Sequence, residues 1–185
     1  IKGILFPLVA GALGLLASIA GIYSVRLRGD EDPMKSLNRG YMNTTIIASV
    51  GFFLACMFML RAEGAPRAYL WFFGCGLVGM LASFLFVWIT EYYTETRHKP
   101  VQRIASSCQT GPATTIITGL AVGLECTFWP IIVISVAILT SFWMGTQALG
   151  PIVETQGISL HSAGLYGTAV ATIGMLSTAG YILAM

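Results

Sequence analysis

The sequence predicts an all-α membrane protein, a multi-span transmembrane helix bundle, on the strength of three observations. Hydrophobic residues fill 56% of the 185 positions and charged ones only 10%, where soluble domains carry about a quarter charged residues. Mean hydropathy is +0.78. Five long apolar stretches alternate with short polar ones, each close to the ~20 residues that a helix needs to cross roughly 30 Å of hydrocarbon. The lipid bilayer is therefore the expected surrounding. Net charge is only +2 and the basic residues are scattered over several loops. A nucleic-acid partner, which needs a concentrated basic face, is excluded.

The first span is expected over residues 4–25, where Gly11, Gly14 and Gly21 allow close helix contact. A linker at 26–40 follows, holding Arg26, Arg28, Lys35 and Arg39 against Asp30, Glu31 and Asp32. Three adjacent acids lack the alternating ligands and turn glycine of a calcium loop, so they read as a solvated linker. The second span covers 41–60, and a turn at Arg61–Arg67 leads into the third, 68–90. There Gly74, Gly76, Gly79 and Ala82 serve packing, and Trp71 and Trp88 anchor the ends.

Residues 89–125 carry most of the polar chemistry outside the terminal loops. Glu91, Tyr92 and Tyr93 close the third span at the headgroup zone. Pro100 then opens a short helix over 101–109, with Val101, Ile104, Ala105 and Cys108 on one face and Gln102, Arg103, Ser106 and Gln109 on the other. That pattern predicts a helix lying in the membrane surface. Gly111 and Pro112 start the fourth span, 112–144, which is longer than one crossing needs. Pro130 is its expected kink, and Gly119 and Gly123 form a GxxxG contact face.

Glu125 is the acid embedded in this apolar run. A carboxylate at depth usually faces protein or water and marks function. About 13 residues separate it from the helix start, roughly 20 Å at helical rise, so a protruding first turn would bring it near the interface. Both a transport role and a hydrogen-bonded structural role stay open. A polar loop, 145–161, precedes the fifth span, 162–185. Its many small residues (Gly164, Gly167, Gly174 and Gly180 among them) suit a crowded interior.

Cys56, Cys75, Cys108 and Cys126 show no CxxC spacing and read as small hydrophobes. His98 and His161 lack partners at ligand spacing, so no metal site is expected in this segment. The loops after the first and third spans hold seven Lys and Arg, against Lys2, Arg61 and Arg67 on the other side. The positive-inside rule then puts loops 26–40 and 91–111 in the cytoplasm. The start at Ile1, the end inside an apolar run and the missing signal-peptide pattern point to a piece of a longer membrane protein.

The words of the chain carry a resemblance. Glu91-Tyr-Tyr-Thr, Pro100-Val, Ile104-Ala, Gln109-Thr-Gly-Pro-Ala-Thr and Ile116-Ile-x-Gly-Leu-Ala-Val-Gly-x-Glu resemble the membrane-integral pyrophosphatases. Asp32-Pro-Met-Lys-Ser-Leu-Asn-Arg-Gly looks like a loop of their prokaryotic members. Gly164-Leu-Tyr-Gly-Thr-Ala-Val-Ala-Thr-Ile-Gly-Met-Leu-Ser-Thr is similar to the helix leading into one of their catalytic aspartate motifs. Thr115 stands where asparagine is usual, and Cys126 where serine is common.

The resemblance implies five consecutive middle spans of a bundle of about sixteen, in a homodimeric pump that couples hydrolysis of Mg²⁺-pyrophosphate to H⁺ or Na⁺ transport. It implies Mg²⁺, and K⁺ in some members, as cofactors of the full-length protein. It also places the catalytic and metal-binding motifs outside residues 1–185, and the composition agrees, because no aspartate occurs after Asp32. By resemblance the first four spans belong to an outer ring and the fifth to an inner ring. Glu91, Arg103 and Glu125 are the expected supporting residues. A fragment of a secondary transporter, with a mid-membrane site near Gly119 to Pro130, and a non-catalytic membrane subunit are the alternatives. The residues encoded after Met185 would separate them.

Overall fold

The computed structural model describes residues 2–24, 33–60, 67–156 and 159–184. They form six helices: α1 Lys2–Ser24, α2 Pro33–Met59, α3 Ala68–Thr94, α4 Lys99–Ser107, α5 Pro112–Gln156 and α6 Leu160–Ala184. No strand occurs among the described residues. That is what a lipid solvent requires, since a helix satisfies its backbone groups internally. Among the described residues four stretches are long and apolar enough to cross a membrane: Leu5–Ser24, Ser36–Met59, Ala68–Ser107, which runs through α3 and α4, and Pro112–Gly150. α6 has 25 residues and is not among those four.

The helices run past the stretches marked by hydropathy. α2 starts at Pro33, inside the stretch read as linker, because proline in the first turn is already set for helix. Arg26, Arg28 and the acids Asp30, Glu31 and Asp32 lie outside the described residues, as does the turn 61–66. α5 continues through Gly145 and Pro151 to Gln156, so most of the expected loop 145–161 is helical. Hydropathy locates the lipid crossing, whereas backbone hydrogen bonding does not stop at the lipid boundary.

Two compact units make up the chain. The first contains Ile1–Ser83 and Ala137–Met185. Its core is a seam of Phe6, Ala10 and Ala17 from α1, Phe52 and Cys56 from α2, Phe72, Cys75 and Met80 from α3, Ala148 from α5, and Val170 and Ala171 from α6. α1 buries one narrow stripe (Phe6, Ala10, Gly14, Ala17, Gly21) at helical spacing and leaves Leu8, Leu15 and Leu16 exposed.

Within this unit α6 is approached at backbone level from three sides. A methyl group at Gly79 of α3 would strike the carbonyl oxygen of Ala171, and one at Gly14 of α1 would come within 2.6 Å of Ser177 Cα. Gly145 of α5 and Gly167 of α6 lie against each other, each leaving no room for a Cβ on its partner. From α2, Tyr181 of α6 receives the ring of Tyr41 at 5.9 Å and donates its hydroxyl to Leu37 O at 2.8 Å. A buried hydroxyl chain ties the same helices: Tyr41 donates to Ser83 at 3.4 Å, and Ser83 meets Thr178 at 3.1 Å. Past its exposed first turn (Leu160, His161 and Ser162), what stays exposed on the described part of α6 is one stripe, Leu165, Ala169, Thr172, Leu176 and Leu183.

The second unit is Phe84–Val136, comprising the end of α3, all of α4 and the first part of α5. Its core is small: Ile89, Tyr93 and Val122, with Ile104, Cys126 and Val133 packed against them.

Candidate functional site

The second unit is the polar hairpin, and its turns are built residue by residue. The last turn of α3 is held by Glu95 N–H on Glu91 O and by the Thr94 hydroxyl on Thr90 O at 2.7 Å. Beyond it the Glu95 carboxylate lies 3.7 Å from both Arg97 and His98, gathering the charged step into a tight bend. His98 takes extended backbone as the N-cap of α4, its ring 5.0 Å from that of Tyr92. Pro100 follows in the first turn, where the missing N–H costs nothing.

At the far end of α4 the Ser107 carbonyl accepts from the hydroxyls of Thr110 at 2.7 Å and Thr114 at 3.2 Å. Gly111 then turns the chain with φ +130, the one positive φ among the described residues. Its carbonyl accepts from Thr114 and Thr115 hydroxyls at 2.8 and 3.0 Å. Thr115, the residue that departs from the asparagine pattern, thus works as a cap for the turn.

α4 does not use the whole apolar face expected for it. Val101 and Ile104 are half-buried, Ile104 against the Ile89–Tyr93–Val122 core, whereas Ala105 and Cys108 are exposed. The expected GxxxG face is likewise open within the described chain, since a methyl group at Gly119 or Gly123 would meet nothing within 4 Å. Only 6% of the apolar window of α5 is buried among the described residues.

The structure places the three expected supporting residues in different settings. Glu91 is half-buried in the last turns of α3 and interacts with its neighbours. Arg103 is exposed on α4, one turn after the exposed Lys99. Glu125 is exposed on α5, within electrostatic reach of Tyr93, and the next residue, Cys126, packs against the cluster that contains this tyrosine.

Tyr93 lies in the closing turn of α3, so Glu125 is level with the end of that helix and not with its middle. The first ~13 residues of α5, roughly 20 Å at helical rise, therefore run beside the 95–111 segment.

Chemically this is a structural corner. Among the described residues no three His, Cys, Asp or Glu side chains gather where they could hold a metal ion. The residues present do not fit a site for several Mg²⁺ ions with a phosphate substrate, which needs clustered carboxylates and basic clamps.

The model of the inorganic H⁺ pyrophosphatase family matches residues 1–185. The K(+)-insensitive pyrophosphate-energized proton pump 2 of Moorella thermoacetica is 48% identical over 185 residues, covering 100% of this chain and 25% of its own length. A K(+)-insensitive pyrophosphate-energized proton pump of Caldanaerobacter subterraneus is 47% identical, with 100% and 25% covered. A putative K(+)-stimulated pyrophosphate-energized sodium pump of Clostridium tetani is 39% identical, with 100% and 25% covered. The chain thus spans about a quarter of the length of these curated relatives. The whole-chain match displaces the secondary-transporter reading.

Proposed function

We propose, since the chain belongs to the inorganic H⁺ pyrophosphatase family, that the full-length protein is a pyrophosphate-driven ion pump of the membrane. The observation that carries this is the match over all 185 residues to relatives named as such pumps. Mg²⁺ would serve the hydrolysis, with its ligands outside residues 1–185. Two relatives at 48% and 47% identity are named as K(+)-insensitive proton pumps, which supports H⁺ over Na⁺ and independence from K⁺.

In this reading the segment is scaffold. α1, α2, α3 and α5 belong to an outer ring, α6 to an inner ring, and α6 makes the fifth crossing. The convergence of α1, α2, α3 and α5 on α6 supports that assignment, as does the single stripe left open on α6. Loops 26–40 and 91–111 face the cytoplasm, as the excess of basic residues there directs.

Glu91, Arg103 and Glu125 act as supports of the hairpin and not as catalytic groups. Replacing Glu91 by Gln is expected to lower the ratio of ion pumping to hydrolysis, or the stability, of the full-length pump. Unchanged values of all three would remove Glu91 from this role.

The assay is direct. Full-length protein in sealed proteoliposomes with Mg²⁺ is given pyrophosphate, and phosphate release is followed together with internal acidification or Na⁺ uptake, with and without K⁺. Hydrolysis coupled to acidification, unaffected by K⁺, is the expected result. Absence of Mg²⁺-dependent hydrolysis would sink the assignment.

A further inference from the structure

We propose that the outer face of the α3–α4 corner is a binding surface for anionic phospholipid headgroups, formed by Lys99 and Arg103 of α4 together with Trp88 and Tyr92 at the end of α3. The inference goes beyond the pump reading and requires only that α3 crosses a membrane.

Four observations converge on this face. Trp88 and Tyr92 are one turn apart on α3, and both stand out from the protein, 62% and 40% exposed. An indole and a phenol stacked at the end of a membrane helix match the zone between acyl chains and headgroups. His98 lies against Tyr92 at 5.0 Å, so the start of α4 sits on the same side of α3 as the two aromatic rings. Lys99 and Arg103 are one turn apart on α4 and both exposed. Finally, α4 is fixed in place and not a loose tail: Ile104 packs on the unit's core, and the Gln102 side chain donates to Arg97 O at 3.1 Å.

Charge selects the occupant. Between residues 95 and 111 stand three cations, Arg97, Lys99 and Arg103, and one carboxylate, Glu95. That carboxylate is turned toward Arg97 and His98. Lys99 and Arg103 are exposed and carry their charge on the helix whose N-cap, His98, lies against the Tyr92 ring. A headgroup phosphate with an additional negative charge complements that arrangement, and a zwitterionic headgroup does so less well. It also gives Arg103 a way to support the hairpin from its exposed position.

The test uses full-length protein in nanodiscs or mixed micelles containing phosphatidylglycerol and phosphatidylcholine. Retained lipid is counted by native mass spectrometry. Wild-type protein is expected to retain phosphatidylglycerol preferentially, and Lys99→Gln/Arg103→Gln to lose roughly tenfold or more of that preference. The charge-preserving pair Lys99→Arg/Arg103→Lys is expected to keep it. In wild-type protein alone the preference should fall as salt is raised, a measurement that does not depend on any variant folding. Equal preference in wild type and the Gln pair overturns the proposal, and so does a preference indifferent to salt. Loss in the charge-preserving pair overturns it as well. Displacement of the lipid by millimolar free phosphate would identify a soluble-anion site instead and likewise overturn it.

Discussion

At the scale of single residues, two glycines set constraints of different kinds. Gly111 holds φ +130, and a methyl group there would meet nothing within 4 Å. Gly111→Ala thus isolates the backbone term, and a loss of more than about 1 kcal/mol is expected. Gly79 is the reverse case, helical in backbone but pressed on the Ala171 carbonyl of α6. Gly79→Ala forces α3 and α6 apart, an overpacking defect of about 1–3 kcal/mol. Melting of the detergent-solubilised full-length protein should register both as lowered transition temperatures. A Gly79→Ala protein as stable as wild type would mean that the two helices are not in backbone contact.

The hydroxyls of Tyr41, Ser83 and Thr178 show how elements are held in register without a hydrophobic drive between them. Lipid tails are as apolar as leucine, so small-residue contact and interhelical hydrogen bonds must orient α2, α3 and α6. The Ser83–Thr178 contact at 3.1 Å links α3 to α6, and Tyr41 at 3.4 Å adds α2. In a double-mutant cycle of Ser83→Ala and Thr178→Val the coupling is expected near 0.6 kcal/mol, with about 1.7 as the upper bound. Additive losses would show that the two hydroxyls do not share a bond. α4 is an element of another type: its sequence pattern was legible as a short helix, but which of its apolar positions are covered was not. Period 3.6 gives a face; only the position of Ile89, Tyr93 and Val122 decides that Ile104 is used and Cys108 is not.

For the whole molecule, α5 is the outstanding feature. It has 45 residues, about twice what one crossing needs, and most of its surface in this chain is open. Ile116, Ile117, Leu120 and Leu124 are all about two-thirds exposed. These residues lie in the first part of α5, beside the end of α3 and α4, and a protein partner is one cover that such a surface admits. The homodimer expected of the full-length pump is one source of that cover. Leu120→Cys in full-length protein is then expected to cross-link into a species of twice the monomer mass under mild oxidation, provided Cys108 and Cys126 are replaced. A strictly monomeric product, with the introduced cysteine shown to be reactive, would place this face against another part of the same chain.

The sequence by itself determined the solvent and the class. Composition demanded lipid, apolar length demanded helices, and the small residues of α6 announced that it would be crowded. Those are local properties, written in each stretch regardless of what it touches. The tertiary structure decided the partners: that α6 is met by four other helices, that Gly119 and Gly123 stand open while Gly145 is packed, and that Glu125 is level with Tyr93. None of these could be read from one helix, because in a medium without hydrophobic contrast between helices many faces qualify for contact. Shape fit and a few hydrogen bonds choose among them.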